Sequence, residues 1–277
     1  MLPWRDLHSN FLFKKIFINT FHREEEELLL HPPEKGFDLK TFVILFWAAL
    51  GLAIIKYYGD PLFFVNVIQG WGMTNLADGI REWTDSGNNS TLHHLAWWVG
   101  TLLLVYLFVP VLLIKLLFKE ELSNYGLKWK GAFKDWWLYV VMLVIMLPLV
   151  VYFSSTTSFQ SRYPFYSPQS HENLWPKFWI WEMMYFAQFI GLEFFFRGFM
   201  TLGLRKRFGF YSIFIMTIPY CMIHFGKPMP ETIGAIGAGL VLGTLSMKSR
   251  SIFMGVMIHY SVAITMDLCA LWRKGFF

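Results

Sequence analysis

Ionisable side chains recur inside long apolar stretches in the second half of the chain. Glu182 and Glu193 lie eleven residues apart in one such stretch, and Arg197 follows Glu193 by four. At about 100° per residue, these side chains share one face of a helix. An ionisable group at membrane depth costs at least about 2.5–3.5 kcal/mol on insertion scales, so such groups usually face the protein interior and serve a function. A Glu193–Arg197 pair that only neutralises itself is the structural alternative.

Two further apolar stretches carry histidines. His224 follows Tyr220 by one helical turn, and Asp267 follows His259 by about two turns. Carboxylates and imidazoles of this kind suit three chemistries: activation of water with stabilisation of an oxyanion, binding of a divalent metal, or a proton relay in a transporter. Because three helices each present histidine or acid at depth, the pattern favours a shared functional site.

The segment after His224 predicts a break between two helices. Gly226, Lys227 and Pro228 interrupt the apolar pattern, and Glu231 opens the next stretch. An acid in the first helical turn complements the helix dipole, which is the structural interpretation of Glu231. The functional interpretation places Glu231 and Lys227 at the rim of a cavity, where they guide a substrate backbone.

The composition excludes several classes of protein. Hydrophobic residues make up 55% of the 277 residues and charged residues only 16%, against about 45–50% and about 25% in soluble domains. The aromatic content of 19% argues against disorder, and two cysteines cannot build a disulfide framework. A net charge of +5 is too small and too scattered to indicate a nucleic-acid partner. We therefore expect an all-α, polytopic transmembrane bundle whose partner is the lipid bilayer.

Stretches of about 20 apolar residues predict roughly seven to eight membrane spans. The seven candidates are 41–58, 92–118, 135–154, 177–200, 208–225, 231–248 and 251–272. Residues 61–71 are too short to cross and predict an interfacial or re-entrant segment. Residues 1–40 are amphipathic and highly charged, which favours an interfacial helix over a disordered tail, and they lack the pattern of a signal peptide.

Lysine and arginine concentrate in alternate loops, which predicts a multi-pass protein with a cytoplasmic N-terminus, expected in a bacterial inner membrane. The stretch 231–248 also carries small residues at four-residue spacing, which allow close approach of a neighbouring backbone. The two ladders are Gly234 with Ala238, and Ala235 with Gly239 and Gly243.

The order of these motifs resembles a known family. Glu193 opens E-F-F-F-R-G-F, Tyr220 and His224 form Y-x-x-x-H, and a lone His259 is followed by polar groups. Together with the loop FKEELSNYGLKWKG, the pattern is similar to the CAAX-protease and bacteriocin-processing (CPBP, or Abi) intramembrane endopeptidases over roughly residues 115–272. The resemblance implies a membrane-sunk site in a bundle of about eight helices. It divides the chain into an interfacial segment 1–40, transmembrane helices 41–114 and a protease core 115–277.

The resemblance also implies roles for the site residues. Glu193, ordered by Arg197, and His224 would polarise a water that attacks a peptide bond of a membrane-associated or lipidated protein or peptide. His259 would donate to the oxyanion, and Asp267 would orient His259. The residues expected around this group or in substrate binding are Glu182, Tyr220, Lys227 and Glu231.

Two departures from the family pattern leave an alternative open. Leu192 stands where the family has its first glutamate, and Ala263 stands where a polar residue follows the last histidine. An inactive member acting as a membrane scaffold or substrate-binding partner is therefore the alternative, and a proton-coupled transporter is disfavoured because no inverted repeat occurs. We expect no cofactor; a divalent metal, if bound, would use His224, His259 and Glu193.

Overall fold

A computed structural model of the protein describes residues 14–168 and 173–276. Every regular element within those residues is helical, which confirms the predicted all-α class. The α-helices, in chain order, are α1 (Asn19–Leu30), α2 (Leu39–Tyr58), α3 (Pro61–Gly70), α4 (Thr74–Thr84), α5 (Ser90–Leu103), α6 (Val109–Leu112), α7 (Trp136–Phe153), α8 (Thr157–Gln160), α9 (Lys177–Glu193), α10 (Gly203–Phe208), α11 (Ser212–Met222), α12 (Met229–Ser249) and α13 (Phe253–Arg273).

Shorter helical segments connect several of these helices. The π-helical segments are Lys14–Ile18, Leu104–Phe108, Leu113–Phe118 and Phe194–Leu202. The 3₁₀ turns are Gly87–Asn89, Leu122–Tyr125 and Gly209–Tyr211. Because the segments around α5 and α6 follow one another directly, they form one helical run, Gly87–Phe118, of 32 residues.

Five helical runs in the described part of the chain are long and apolar enough to cross a membrane, which indicates an integral, multi-pass membrane protein. They are Leu39–Tyr58, Gly87–Phe118, Trp136–Phe153, Met229–Ser249 and Phe253–Arg273. The predicted count of seven to eight spans is not confirmed. The helical run that begins with α9 continues through Phe194–Leu202 into α10 but contains Glu182, Glu193 and Arg197, and α11 has only 11 residues.

The short apolar stretch near residue 61 folds as a helix of 10 residues, too short to span. Its start is set locally, because the Asp60 side chain accepts a hydrogen bond from the Leu62 amide at 3.0 Å and Pro61 occupies the first helical turn. The interfacial or re-entrant placement of this segment stays a prediction.

The chain divides into two compact units. Unit one is formed by the described part of 1–49 with 114–134 and 194–255, and unit two by 50–113, 135–193 and the described part of 256–277. Each unit is therefore assembled from segments that are distant in sequence. The predicted segment boundaries at residues 40 and 114 stay predictions.

The small-residue ladder of α12 packs within unit one on only one of its two faces. A Cβ added to Gly239 would lie 3.0 Å from the Thr217 side chain, and one added to Gly243 would lie 2.8 Å from Ile213. A Cβ on Gly234 would meet no described atom within 4 Å. The ladder through Gly239 and Gly243 therefore lets α11 and α12 approach closely, whereas Gly234 has no such role.

The charged N-terminal segment contributes the helix α1 to unit one; residues 1–13 lie outside the described residues. Its Glu24 is 1% exposed and accepts a hydrogen bond from Arg250 Nη2 at 2.7 Å. Glu27 accepts a hydrogen bond from Arg205 Nη1 at 2.7 Å. The Arg23 guanidinium donates to the Met247 carbonyl at 2.8 Å, close to the end of α12. The helix is thus held by charge to Arg205 within α10 and to the basic turn after α12.

Unit two has an aromatic-rich core around α9 and α13. Its buried members are Val99, Tyr166, Leu174, Phe178, Trp181, Tyr185, Phe189, Val256, Ala263 and Leu271. Aromatic pairs contribute about 0.5–1.5 kcal/mol each beyond area burial. This core carries the polar side chains that form the candidate site.

Candidate active site

A column of side chains at four-residue intervals lies along α9. Trp181, Tyr185, Phe189 and Glu193 follow one another by one turn each, so they share one helical face. The Trp181 and Tyr185 ring centroids are 4.7 Å apart, and those of Tyr185 and Phe189 are also 4.7 Å apart. The α9 backbone therefore presents a stack of rings that ends in a carboxylate.

The carboxylate at the end of this column contacts a histidine of α13. Nδ1 of His259 lies 2.6 Å from Oε1 of Glu193, and the Phe189 ring stacks on the imidazole with centroids 5.4 Å apart. The side chain of Glu193 is 0% exposed and that of His259 is 16% exposed. With Glu193 assigned as ionised, the carboxylate only accepts, so Nδ1 carries the proton and Nε2 is the basic nitrogen of the neutral ring.

A second polar contact joins the same two helices. Oδ2 of Asp267 accepts a hydrogen bond from Nε1 of Trp181 at 3.0 Å, and its Oδ1 accepts one from the Phe165 amide at 3.2 Å. The aspartate is 0% exposed. The partner of His259 at Nδ1 is Glu193, and a role for Asp267 in orienting His259 stays a prediction.

Glu182 is buried in the same region. It is 1% exposed and lies beside Asp267 and Tyr260. Tyr260 packs edge-on against the Phe186 ring, with centroids 5.0 Å apart. Within unit two the structure thus places Glu193 against His259 and Glu182 beside Asp267, and Asp267 accepts a hydrogen bond from Trp181.

The other histidine lies in unit one, just after α11 ends. Nδ1 of His224 lies 2.8 Å from the Tyr220 carbonyl, and the two rings meet edge-on with centroids 5.0 Å apart. A carbonyl only accepts, so this imidazole is also protonated at Nδ1 in its neutral form. The Arg197 guanidinium lies over the Tyr220 ring at 4.1 Å, and both residues are buried. Pairing of Arg197 with Glu193 stays a prediction.

The predicted helix break after His224 is confirmed. Gly226 has a φ of +88°, which favours glycine, and α12 begins at Met229. Lys227 and Glu231 form an ion pair at 2.6 Å, with Glu231 in the first turn of α12. The structural interpretation of Glu231 therefore holds, and the substrate-guiding role of this pair stays a prediction.

The described residues contain no group of three or more His, Cys, Asp or Glu side chains placed to hold a metal ion. The metal set considered from the sequence, His224, His259 and Glu193, thus has no geometric support within these ranges, and metal dependence stays an open prediction.

The structure places at the candidate site residues that the sequence motifs do not include. Trp181 and Phe189 contact the polar residues of the site directly, and Phe165 reaches it from the loop after α8. The signal for the first two was present, because they precede Glu193 at twelve and four residues on the same face. No local pattern marks Phe165.

Residues 173–265 match the family model described as Rce1-like, type II CAAX prenyl endopeptidase Rce1-like. The match confirms the resemblance to CPBP endopeptidases and covers Glu193, Arg197, His224 and His259. No curated protein and no solved structure shows a significant match to the chain.

Proposed function

We propose, from the Rce1-like match of residues 173–265 and the contact between Glu193 and His259, that this chain is an intramembrane endopeptidase. The match supports a CAAX-type protease at the level of the family. The specific reaction proposed is hydrolysis of a peptide bond in a membrane-associated or lipidated protein or peptide.

The Glu193–His259 contact is the observation that carries the mechanism. Glu193 accepts a hydrogen bond from Nδ1–H, so Nε2 of His259 is the atom that takes a proton from an attacking water. The buried carboxylate then stabilises the imidazolium that forms, as in carboxylate–histidine pairs of hydrolases. The imidazolium returns its proton to the leaving amine, which completes the cleavage.

The different burial of Glu193 and His259 supports these different roles. Glu193 is sealed from solvent while His259 keeps 16% of its side chain exposed. Fixed charges act more strongly in such a low-dielectric site than in water. The exposed edge of the imidazole can meet the attacking water, whereas the carboxylate is proposed to act through the ring. This assignment differs from the prediction made from the sequence, in which Glu193 acts on the water and His259 donates to the oxyanion.

His224 is proposed as a second imidazole of the same reaction. Its Nδ1 proton is directed to the Tyr220 carbonyl, so Nε2 is available to bind a water or, once protonated, to donate to the oxyanion. Arg197, buried against Tyr220, is proposed to supply positive charge. Participation of His224 with Glu193 at one water is the prediction made from the sequence.

The substrate class follows from the setting. The apolar helices that can span a membrane place the chain in lipid, and the family description names a CAAX prenyl endopeptidase. We propose a peptide or protein substrate that reaches the site from the bilayer, in a bacterial inner membrane, with the N-terminus of the enzyme in the cytoplasm.

An inactive, substrate-binding member is the second candidate, and it has specific support. Leu192 is 6% exposed and Ala263 is 5% exposed, so both departures from the family motif are apolar residues in packed positions. A site lacking these polar groups could bind a lipidated peptide without cutting it.

The test uses the full-length protein in lipid vesicles with a fluorogenic peptide carrying a farnesylated C-terminal cysteine motif. The variants are Glu193→Gln, His259→Gln and His224→Gln, and the matched control is Glu26→Gln on the exposed face of α1. We expect the parent and Glu26→Gln to cleave, and the three site variants to lose at least about 100-fold in kcat.

Two results would argue against the peptidase. Cleavage at the parental rate by Glu193→Gln and His259→Gln would remove the mechanism. If the parent binds the prenylated peptide but cleaves neither the prenylated nor the unprenylated peptide, the result would support the scaffold instead.

A further inference from the structure

Directional contacts at two levels hold the relative register of α9 and α13. At one end Glu193 bonds His259, and at the other Asp267 bonds Trp181. The contacts are twelve residues apart on α9 and eight apart on α13, which is about three turns and about two turns. The helices are therefore held at two levels by these two pins, and Glu182 of α9 adds polar contacts with Tyr260 and Asp267 of α13.

The ring packing between the two hydrogen-bonded pairs does not by itself specify a register. It consists of the rings of Tyr185 and Phe189, with Ala263 of α13 buried in the same core. Dispersion contacts are weak individually and largely non-directional, whereas a hydrogen bond requires both distance and angle. Since one residue of slippage turns a helix by about 100°, a lost pin leaves the direction of His259 weakly determined.

The Asp267 pin is also the more firmly built of the two. Its two carboxylate oxygens accept from two different parts of unit two, the α9 indole and the Phe165 amide of the loop after α8. The Trp181 ring is itself held by Tyr185, 4.7 Å away, and by Phe165, 5.9 Å away. Because the buried Asp267 bonds both a second helix and a loop, α13 cannot slide along α9 without breaking both contacts.

We propose that Trp181 and Asp267 are positioning residues that fix the register of α13 against α9 and thereby hold His259 against Glu193. The catalytic consequence rests on the proposed function, because it assumes that His259 acts on a water. The structural part of the proposal is that the Glu193–His259 contact depends on the distant Trp181–Asp267 hydrogen bond, and this part does not rest on the proposed function.

The variants separate positioning from packing. Trp181→Phe keeps a ring and removes the indole N–H, and Asp267→Ala removes both acceptors. Leu268→Ala is the control, because Leu268 is an apolar neighbour of the same core on α13, so its truncation lowers stability without removing a pin. The double variant Trp181→Phe/Asp267→Ala completes a cycle.

The first readout is kinetic. We expect kcat to fall about 10- to 100-fold in either single variant, as for a small misplacement of a catalytic group, with KM within about twofold of the parent. The double variant should match the more impaired single variant, since both substitutions remove the same Trp181–Asp267 hydrogen bond. Multiplying losses, or an equal fall in kcat for Leu268→Ala, would overturn the proposal.

The second readout needs no activity. NMR spectra of protein labelled with ¹⁵N-histidine report the ring nitrogens, and the signals of His259 are identified as those that are missing in His259→Gln. We expect them to move in Trp181→Phe and Asp267→Ala and to stay in Leu268→Ala. Unmoved His259 signals in both pin variants would overturn the proposal even if activity fell. Moved signals in a protein that cleaves nothing would sustain the register pin and reject the peptidase.

Discussion

Nδ1 of His259 lies 2.6 Å from Oε1 of Glu193, between two helices whose contacting residues are 66 positions apart in the chain. The carboxylate is sealed and the imidazole is partly exposed. Under the proposed mechanism the pair works as one unit, because an ionised Glu193 both selects the tautomer of His259 and stabilises its protonated form.

Removing either member of the pair should therefore have the same consequence as removing both. We expect Glu193→Gln and His259→Gln each to lower kcat/KM about 100- to 1000-fold, and the double variant to be no slower than the slower single one. Steady-state cleavage of the prenylated peptide measures this. Losses that multiply in the double variant would show that the two groups act separately.

The buried Glu24 should be a main support of unit one. It is 1% exposed and pairs with Arg250 at 2.7 Å and Arg23 at 2.9 Å. Removing one partner from a buried ion network leaves uncompensated charge, so Glu24→Gln should lower the unfolding free energy by about 2–3 kcal/mol, allowing for the part-exposed arginines. Thermal unfolding in detergent measures it, with the exposed Glu26→Gln as the matched charge change. Equal melting temperatures for the two variants would contradict the assignment.

The pH dependence of stability should include a contribution from Glu120. Burial tends to raise the pKa of this carboxyl, but hydrogen bonds from Lys40 and Tyr125 and the charges of Lys40 and Lys206 outweigh it, leaving the pKa below its usual 4.5. A group with a lowered folded pKa stabilises the protein above its unfolded pKa, and this stabilisation is lost as the pH falls through the folded value.

The parent should accordingly lose about 1 kcal/mol more than Glu120→Gln between pH 6 and strongly acidic pH, in roughly the range of a screened, charge-assisted hydrogen bond. Melting temperatures across this pH range provide the measurement. The neighbouring Glu121→Gln is the control, since that side chain is 77% exposed. Parallel melting curves for the parent and Glu120→Gln would contradict the prediction.

A close backbone approach should make Gly198 intolerant of a side chain. A Cβ at this position would lie 2.4 Å from the Tyr125 carbonyl oxygen, a backbone atom in the same unit. We expect Gly198→Ala to destabilise by about 2–3 kcal/mol through overpacking. Gly234→Ala, where nothing described lies within 4 Å, should instead stabilise by about 0.5–1 kcal/mol through helix propensity. Reversed signs in thermal unfolding would refute the contact.

Much of the helical framework could be predicted from hydropathy alone. The stretch predicted at 135–154 is the helix Trp136–Phe153, and that predicted at 251–272 is Phe253–Arg273. These boundaries are local, because they depend on runs of apolar residues that end at charged or turn-forming ones. The span count was less predictable, since the short length of α11 leaves no mark in average hydropathy.

The sequence by itself determined which residues are candidates to carry the chemistry, because an acid or imidazole within an apolar helix is costly and therefore conspicuous. It also determined the spacing of Trp181, Phe189 and Glu193 on one face, because helical geometry fixes that spacing. Only the tertiary structure decided that Glu193 meets His259 and that Asp267 meets Trp181. Those pairings depend on the register and rotation of one helix against another, and many residues distant in the chain must pack together to set them.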